Sequence, residues 1–271
     1  MPGFLGPVTT SINSTTTTDG DNSNILRSGL SENSYITSIA WDLNRGTESF
    51  SQKILLGTNQ GEIYGYVLCA PDFDIASLSA EELPWRNAPQ LLHQLDSTTS
   101  DSSTSRSRGG GTVSGLYMQS FLGLNLCILA VTCGRGRPTR LHSFVGTALN
   151  FQNLKSSFVE LPGGSIDFAH LVVCPKDHSF VVRTEAGLYH GKLEKNGSVV
   201  NVGLLPYESA SIPLSIAITP HHYMYVTSDA DVCFVNRIAN KIIQRERILD
   251  NFSYFAAELF VDIRRPDQVW L

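Results

Sequence analysis

The stretch ILLGTNQGEIYGYVL, from Ile54 to Leu68, consists of two runs of alternating apolar residues on either side of a short polar segment. Alternation with a period of two is typical of strands that bury one face, so the stretch predicts a β-hairpin. Its glycines, Gly57, Gly61 and Gly65, are spaced by four. A phosphate-binding loop would also need a Lys-Ser/Thr pair and a following helix. The stretch has neither, so we assign Gly61 to the turn, where glycine adopts positive φ without steric cost.

Runs of the same kind recur along the chain, bounded by Gly, Pro, Asn and Asp. They predict three strands in a first set, two in a second, three in a third and four in a fourth, with a fifth set at the C-terminus. The later sets start near Ile166, Leu214 and Phe255, a spacing of about 40 to 50 residues that is typical of β-propeller blades. We therefore predict an all-β fold, a partial β-propeller of about four to five blade-like repeats, the first and last incomplete. A β-sandwich is the alternative, but it does not require this repetition.

Two segments of the chain lack the apolar residues that a packed core needs. Residues 1–32 are rich in Ser, Thr, Asn and Gly, which cannot offset the entropy lost on ordering, so we predict a disordered N-terminal tail. The segment DSTTSDSSTSRSRGGGTVSG predicts a disordered insertion at about residues 96–115. The partial β-propeller domain then spans residues 33–271.

Charge, cysteine content and hydropathy exclude several classes of protein. The 271-residue chain has a formal net charge of −5, so no global basic field draws it to nucleic acid or to an anionic membrane. The five cysteines lie far apart without zinc-binding spacing, which is typical of reduced, buried thiols in a cytosolic protein. The N-terminus lacks the basic and apolar regions of a signal peptide, and no apolar run approaches the roughly 20 residues of a membrane span.

No arrangement of residues in the sequence points to a catalytic, cofactor or metal site. The nucleophile elbow G-x-S-x-G does not occur, and the paired carboxylates Glu81 and Glu82 lie in an acidic segment that we expect to be exposed. His221 and His222 are adjacent, so on a strand they would point to opposite faces and could not bind one metal ion. The other candidate histidines have no carboxylate at a repeated offset: His142, His170, His178 and His190. We therefore predict no catalytic residue, no cofactor and no metal.

Two short basic stretches each have a structural and a functional interpretation. GRGRP, from Gly134 to Pro138, contains the core with which AT-hooks enter the minor groove of DNA, but it lies between two predicted strands, which favours a hairpin turn. KIIQRERI, from Lys241 to Ile248, predicts an outer strand whose charges hinder edge-to-edge aggregation. A partner-binding patch is the alternative for this strand.

The stretch ITSIAWDLNRGTESFSQKILLGTNQGEIYGYVL, from Ile36 to Leu68, resembles the propeller of the Pep3/deep orange family, vacuolar protein sorting-associated protein 18. In that family a strand ends in a corner of the Trp-Asn type and is followed by Gly-Thr-Glu-Ser, an apolar strand, Gly-Thr-x-Gln-Gly and an aromatic strand. The matching positions here are Trp41, Asp42, Gly46, Thr47, Glu48, Ser49, Gly57, Thr58, Gln60 and Gly61. Weaker similarity continues through GLYHGKL and PLSIAITPHHYMYVTSDADVCFVNR, so the resemblance covers most of residues 33–271 apart from the insertion.

This resemblance implies a non-catalytic protein-interaction module. Members of the family have an N-terminal propeller, a long α-solenoid and a zinc-binding RING, and they are core subunits of the HOPS and CORVET complexes, which tether vesicles before fusion. The implied partners are the other class C core subunits of these complexes, with no nucleic acid and no small-molecule substrate. The implied location is cytoplasmic, peripheral on the cytosolic face of late endosome, lysosome or vacuole membranes.

The chain departs from the family pattern at both ends. A Ser/Thr tract replaces the opening strands of the propeller, the sequence ends at DQVWL inside a blade, and the solenoid and RING are missing. We therefore expect a fragment of a longer protein or a truncated gene product.

Two other functions stay open from the residues alone. A propeller hydrolase would carry acidic or His residues on the inner strands of several blades, whereas the candidate inner strands TSIAW, AHLVV and LSIAI are apolar or small. A nucleic-acid-binding propeller would use the basic stretches RSRGGG and GRGRP, and its binding would weaken with salt.

Overall fold

The computed structural model describes residues 29–42, 51–69, 88–95, 111–121, 125–134, 137–147, 154–165, 168–207, 213–248, 259–262 and 265–270. In this part of the chain all regular secondary structure is β-strand. The strands are β1 (Ile36–Trp41), β2 (Ser51–Thr58), β3 (Glu62–Cys69), β4 (Gln90–Gln94), β5 (Thr112–Phe121), β6 (Asn125–Cys133), β7 (Pro138–Thr147), β8 (Lys155–Ser165), β9 (Ala169–Val173), β10 (Ser179–Thr184), β11 (Gly187–Leu193), β12 (Val199–Pro206), β13 (Pro213–Ile218), β14 (His222–Thr227), β15 (Asp231–Asn236), β16 (Lys241–Arg247), β17 (Phe260–Asp262) and β18 (Arg265–Trp270).

Each sheet is built from strands that are consecutive in the chain. The first sheet contains β1 to β4, the second β5 to β8, the third β9 to β12 and the fourth β13 to β16, while β17 pairs with β18 in a fifth. All the strand pairs are antiparallel, as expected for hairpins joined by short turns. A four-stranded antiparallel meander repeated along the chain is the unit from which β-propellers are built.

The first strands of successive sheets lie next to one another. Asp42, just after β1, forms a parallel bridge with Met118 of β5. Thr37 Oγ1 on β1 donates a 2.8 Å hydrogen bond to the carbonyl of Val113 on β5. The contacts continue from β5 to β9, from β9 to β13 and from β13 to β17. The sheets therefore follow one another in chain order around shared inner strands, and the prediction of an all-β, propeller-type fold is confirmed.

The sheets begin close to the positions that the sequence repeat predicts. The third, fourth and fifth sheets start at Ala169, Pro213 and Phe260, against predicted starts near 166, 214 and 255. The first sheet has all four strands, so the prediction that it is incomplete is wrong. In the fifth sheet two strands lie within the described residues.

The sequence pattern misses four strands: β4, β5, β8 and β12. In β8 and β12 the side chains are largely exposed, for example all of residues 155–160, so apolar alternation gives no signal. β5 is missed because its first residues, 112–115, follow a Ser/Arg/Gly-rich tract and were assigned to the predicted insertion. These residues belong to the innermost strand of the second sheet. The preceding segment, 96–110, lies outside the described residues.

The core lies in the layers between adjacent sheets. Between the first and second sheets, the fully buried side chains of Leu55 and Ile128 belong to one apolar cluster. Leu129 and Phe180 belong to the cluster between the second and third sheets, and Val181 and Cys233 to the cluster between the third and fourth. Burying a side chain of this kind contributes roughly 1.5–3 kcal/mol to stability. Each sheet therefore depends on its neighbours for most of its apolar burial.

Buried threonines close the central hairpins of three sheets. Thr58 Oγ1, at the end of β2, accepts hydrogen bonds from the N–H groups of Gln60 at 3.3 Å and Glu62 at 3.2 Å. Gly61 completes this turn with φ of 76°, which confirms its assignment to a hairpin. Two further threonines accept backbone hydrogen bonds at equivalent turns: Thr184 and Thr227.

We expect Thr184→Val to lower the free energy of unfolding by about 1.5 kcal/mol, because it removes a buried hydroxyl that pairs with two backbone groups of the turn. Thr184 Oγ1 donates to the carbonyl of Gly187 at 3.0 Å and accepts from the N–H of Ala186 at 3.2 Å. Urea unfolding followed by tryptophan fluorescence measures the loss. Thr147→Val, at an exposed position, is the control and should change stability by less than about 0.5 kcal/mol. Equal losses of unfolding free energy for the two substitutions would contradict the role given to the Thr184 hydroxyl in this turn.

Gly115 sets the distance between the second and third sheets. A Cβ atom at this position would lie 2.6 Å from Cβ and 3.1 Å from the backbone nitrogen of Leu171 on β9. Because backbone cannot move aside as a flexible side chain can, we expect Gly115→Ala to cost about 2 kcal/mol of unfolding free energy. Thermal or urea unfolding measures this cost, with Ser114→Ala on the same strand as the control. A neutral Gly115→Ala would show that the two sheets pack less closely.

Residues 29–35 are attached to the first sheet through Glu62. Ser31 Oγ and Ser34 Oγ donate to Glu62 Oε2 at 2.8 Å and 2.9 Å, and Thr58 Oγ1 donates to the same oxygen at 3.2 Å. The N–H of Gly29 donates to the carbonyl oxygen of residue 89 at 2.8 Å. Residues 29–32, predicted as part of the tail, are thus held against β3. Residues 1–28 lie outside the described residues.

Candidate interaction site

A pocket of about 480 Å³ lies at one end of the junction between the third and fourth sheets. Successive strands run in opposite directions, so the turns β9–β10, β11–β12, β13–β14 and β15–β16 fall at the same end of these sheets. We call this cavity the junction pocket. Its lining residues are Asp177, Ser179, His190, Gly191, Lys192, Asn201, Pro220, Tyr223, Arg237, Ile238 and Asn240.

Arg237, just after β15, holds the two sheets together at this pocket. Its Nη1 donates to the carbonyl of Thr219 at 2.7 Å, and its Nη2 lies 2.8 Å from Asp177 Oδ2 in the β9–β10 turn. Nη2 also donates to Ser179 Oγ at the start of β10. The guanidinium carbon lies 5.6 Å from the centre of the Tyr223 ring. One largely buried side chain from the fourth sheet therefore fixes a turn and a strand end of the third.

Burial and hydrogen bonds determine the protonation states of the groups around Arg237 near neutral pH. Burial alone would raise the pKa of Asp177, but hydrogen bonds from Ser179 and Arg237 outweigh it and lower the pKa. Burial lowers the pKa of His190, and the nearby Arg237 charge lowers it further. Burial also raises the pKa of Tyr223. Near neutral pH the pocket therefore contains an ion pair, a neutral imidazole and a neutral phenol.

This arrangement suits binding better than acid–base chemistry. A carboxylate with a lowered pKa is a weak base, and a tyrosine with a raised pKa is a weak acid. Within the described ranges no group of three or more His, Cys, Asp or Glu side chains could hold a metal ion. The pocket offers hydrogen-bond donors and acceptors around a rigid ion pair.

The histidines singled out from the sequence have separate surroundings. His142 Nε2 lies 3.0 Å from Thr132 Oγ1, and burial followed by the Arg140 charge lowers its pKa from 6.5 to about 4. His178 packs edge-on against Phe121, with 4.6 Å between ring centres. The remaining ones are His170 on an inner strand, His190 in the junction pocket, and His221 and His222, whose rings are 6.4 Å apart. The structure does not bring these side chains together into one site.

The inner strands match the sequence expectation of apolar or small residues. TSIAW, AHLVV and LSIAI lie in β1, β9 and β13, the first strands of their sheets. Among the described inner strands, β9 carries the imidazole of His170 and β17 ends at Asp262, while Asp42 follows directly after β1. The carboxylate of Asp42 accepts a hydrogen bond from the Ser120 hydroxyl of β5, so it joins two inner strands. A propeller hydrolase gains no support from these residues.

The two basic stretches occupy structural positions. Gly134 follows β6 and Pro138 begins β7, and the N–H of Arg137 donates to the carbonyl of Gly134 at 3.1 Å, so GRGRP connects two antiparallel strands, as predicted for a hairpin. In β16, Arg245 and Arg247 lie 3.8 Å and 3.1 Å from the carboxylate of Asp231 on the adjacent strand. These arginines therefore stabilise the β15–β16 pair at the edge of the fourth sheet.

Four cysteines, Cys127, Cys133, Cys174 and Cys233, are buried free thiols, as the sequence predicts. Burial raises the pKa of Cys127 to about 11 and also raises that of Cys174, which makes both poor nucleophiles near neutral pH. In the described part of the chain no helix has the length and hydropathy to cross a membrane.

Sequence reasoning misses the junction pocket. Arg237 and Asp177 are 60 residues apart and belong to different sheets, and neither forms part of a recognisable motif. The weak signal that exists is positional: the turns that carry them occupy the same place in successive repeats, so a propeller alignment of the repeats would place them at the same end.

Comparisons with known proteins agree with the repeat architecture. The family model described as "Pep3/Vps18/deep orange beta-propeller domain" matches residues 22–271. The curated protein named "Vacuolar sorting protein 18" from Arabidopsis thaliana is 24% identical over 237 residues, which cover 77% of this chain and 21% of that protein. The chain thus spans about a fifth of the length of this relative.

Among solved structures, BBS1N in complex with ARL6DN gives a TM-score of 0.46 at 12% identity, covering 86% of this chain and 59% of that chain. The WD40 β-propeller domain of Doa1 gives a TM-score of 0.40 at 13% identity, covering 78% of this chain and 54% of that chain.

Proposed function

The chain belongs to the Pep3/Vps18/deep orange β-propeller family, and on that premise we propose that it is a non-catalytic protein-interaction module in vacuolar protein sorting. The observation that carries this proposal is the family match over residues 22–271, which includes every described sheet. The name of the Arabidopsis relative, a vacuolar sorting protein, supports the same pathway.

The geometry is compatible with this role. Closely packed sheets form a rigid scaffold whose turns are presented at two ends, an arrangement that many propellers use to display binding surfaces. The junction pocket at one end contains paired and neutral groups suited to contacts with another chain. Apolar inner strands and thiols with raised pKa values favour binding over catalysis.

At finer detail, we propose that the chain acts within a HOPS- or CORVET-type tethering complex in traffic from endosomes to lysosomes or vacuoles. Its partners would be the other class C core subunits. Association with the cytosolic face of late endosome, lysosome or vacuole membranes would be peripheral and mediated by the complex.

An immunoprecipitation tests this proposal. An antibody raised against residues 113–271 is used on native tissue, and the captured proteins are sized and identified by mass spectrometry. We expect co-capture of the other class C tethering subunits, with the captured chain either at 29.7 kDa or within a longer product. Capture of the chain without any tethering subunit would contradict the proposed function. An antibody against an unrelated cytosolic propeller is the control for non-specific recovery.

A further inference from the structure

Ile238, at the rim of the junction pocket, is 98% exposed, the highest exposure among the large apolar side chains of the described residues. The turn that presents it is rigidly held. Asn236 Oδ1 accepts hydrogen bonds from the N–H groups of Ile238 at 3.0 Å and Ala239 at 2.8 Å, and Arg237 anchors the same turn to the third sheet. Asn240 ends the turn with φ of 49°, a conformation that asparagine tolerates. A fixed, fully exposed isoleucine is suited to insertion into an apolar contact on another molecule.

The end of the third and fourth sheets that carries Ile238 has an excess of basic residues, although the whole chain is acidic. The turns at this end of the third and fourth sheets, with the residues that flank them, carry five basic and two acidic side chains: Lys176, Lys192, Lys195, Arg237 and Lys241, with Asp177 and Glu194. The net charge of the chain is −5. The ion pair between Lys192 and Glu194 is long, 3.6 Å, and both side chains are more than 40% exposed, so it restrains Lys192 little.

Two buried polar atoms of pocket-lining residues lack a hydrogen-bond partner among the described residues. They are Nε2 of His190 and Oδ1 of Asn240. The Asn240 oxygen accepts a hydrogen bond, Nε2 of neutral His190 does so in the tautomer protonated at Nδ1, and the N–H groups of an extended peptide are donors of the required kind.

We propose that the junction pocket and Ile238 together bind a short, extended segment of a partner protein that carries an acidic residue next to an apolar one. The apolar side chain packs on Ile238, the carboxylate faces Lys192 and Lys241, and a backbone N–H reaches Asn240. The inference rests on the proposed function only in that the chain acts by binding another protein. The charge of the surface and the chemistry of its unpaired atoms both fit such a segment.

A peptide fits this surface better than a lipid bilayer or a free phosphate group. A bilayer is too flat to fill a concave pocket of about 480 Å³. The Asn240 oxygen that lines the pocket is an acceptor without a partner, which a peptide N–H can satisfy and a fully ionised phosphate, having no donor, cannot.

A selection on the purified full chain tests the inference. Short random peptides displayed on phage are selected against the chain, and the recovered sequences are compared with the unselected library. We expect enrichment of sequences with Asp or Glu beside a large apolar residue. For a recovered peptide synthesised with a fluorophore, Ile238→Asp and Lys192→Glu should each weaken binding at least about ten-fold, which corresponds to about 1.4 kcal/mol.

Two controls separate the possible outcomes. Ile243→Asp changes an exposed isoleucine on β16 and should leave peptide affinity unchanged, and thermal unfolding of each variant verifies its fold. Recovery of no acidic motif, or binding that is insensitive to Ile238→Asp, would overturn the inference. Binding to vesicles of phosphatidylcholine and phosphatidylserine that depends on Ile238, without any peptide motif, would also overturn it. None of these results depends on the immunoprecipitation, so the proposed function is judged separately.

Discussion

Replacement of Arg237 by methionine is expected to lower the free energy of unfolding by about 3 kcal/mol, one of the two largest effects predicted for this chain. Methionine keeps the apolar stem but removes the donors to Thr219, Asp177 and Ser179. The side chain of Arg237 is only 13% exposed, so these hydrogen bonds lie in a largely desolvated setting. Asp177 is 35% exposed and water can solvate it after the change, which keeps the cost at the lower end of that expected for a buried ion pair.

A double-mutant cycle with Asp177→Asn isolates the cross-sheet ion pair. We expect a coupling energy of about 1–2 kcal/mol between positions 237 and 177, measured by urea unfolding. The matched control is the exposed pair Lys192 and Glu194, for which coupling should stay within about 0.5 kcal/mol. If Arg237→Met lowered the free energy of unfolding by less than about 1 kcal/mol, this result would contradict the central role given to Arg237.

Acidification is expected to destabilise the second sheet through His142. The folded-state pKa of this buried imidazole is about 4, against 6.5 ordinarily, because burial and then the Arg140 charge disfavour the protonated form. The unfolded chain therefore takes up a proton that the folded chain rejects, and stability falls as pH drops below about 6.5. Between pH 8 and pH 4 the loss from this residue alone should reach about 3 kcal/mol.

His142→Gln separates this contribution from that of other titrating groups. The amide can still hydrogen-bond Thr132 but does not titrate, so the variant should lose about 3 kcal/mol less than the parent chain between pH 8 and pH 4. Urea unfolding curves at several pH values give the change of unfolding free energy with pH for the variant and for the parent chain. The same change at an exposed position, His221→Gln, serves as the control. Parallel pH profiles for His142→Gln and the parent chain would contradict the prediction.

Apart from β5, the sequence predicts the inner and central strands, because their buried positions are occupied by alternating or continuous apolar residues. β10, for example, has five buried residues out of six, and such runs of Phe and Val bounded by turn residues are easily recognised. Outermost strands such as β8 and β12 have little burial on either face, so their residues are under no pressure to alternate. Exposure, more than low strand propensity, explains why these strands were missed.

The junction pocket could not be predicted in the same way. Its ion pair joins Arg237 and Asp177 across two sheets, and nothing local in either turn indicates the partner. Ile238 stands out only once its exposure is known, since an isoleucine after a strand is an ordinary core residue by sequence. Composition also hides the basic end of the third and fourth sheets, because the chain as a whole is acidic.

Every sheet is assembled from strands that are consecutive in the chain, so the hydrogen bonds within a sheet join neighbouring segments of the sequence. Each meander can close before the next has left the ribosome, and the docking of one sheet onto its predecessor then extends the structure stepwise. Stability in such an array is transmitted from neighbour to neighbour, as in a linear chain of coupled units. The substitution Gly115→Ala would thus raise the rates of amide hydrogen exchange in the second and third sheets and leave the amides of the fourth sheet nearly as protected as before.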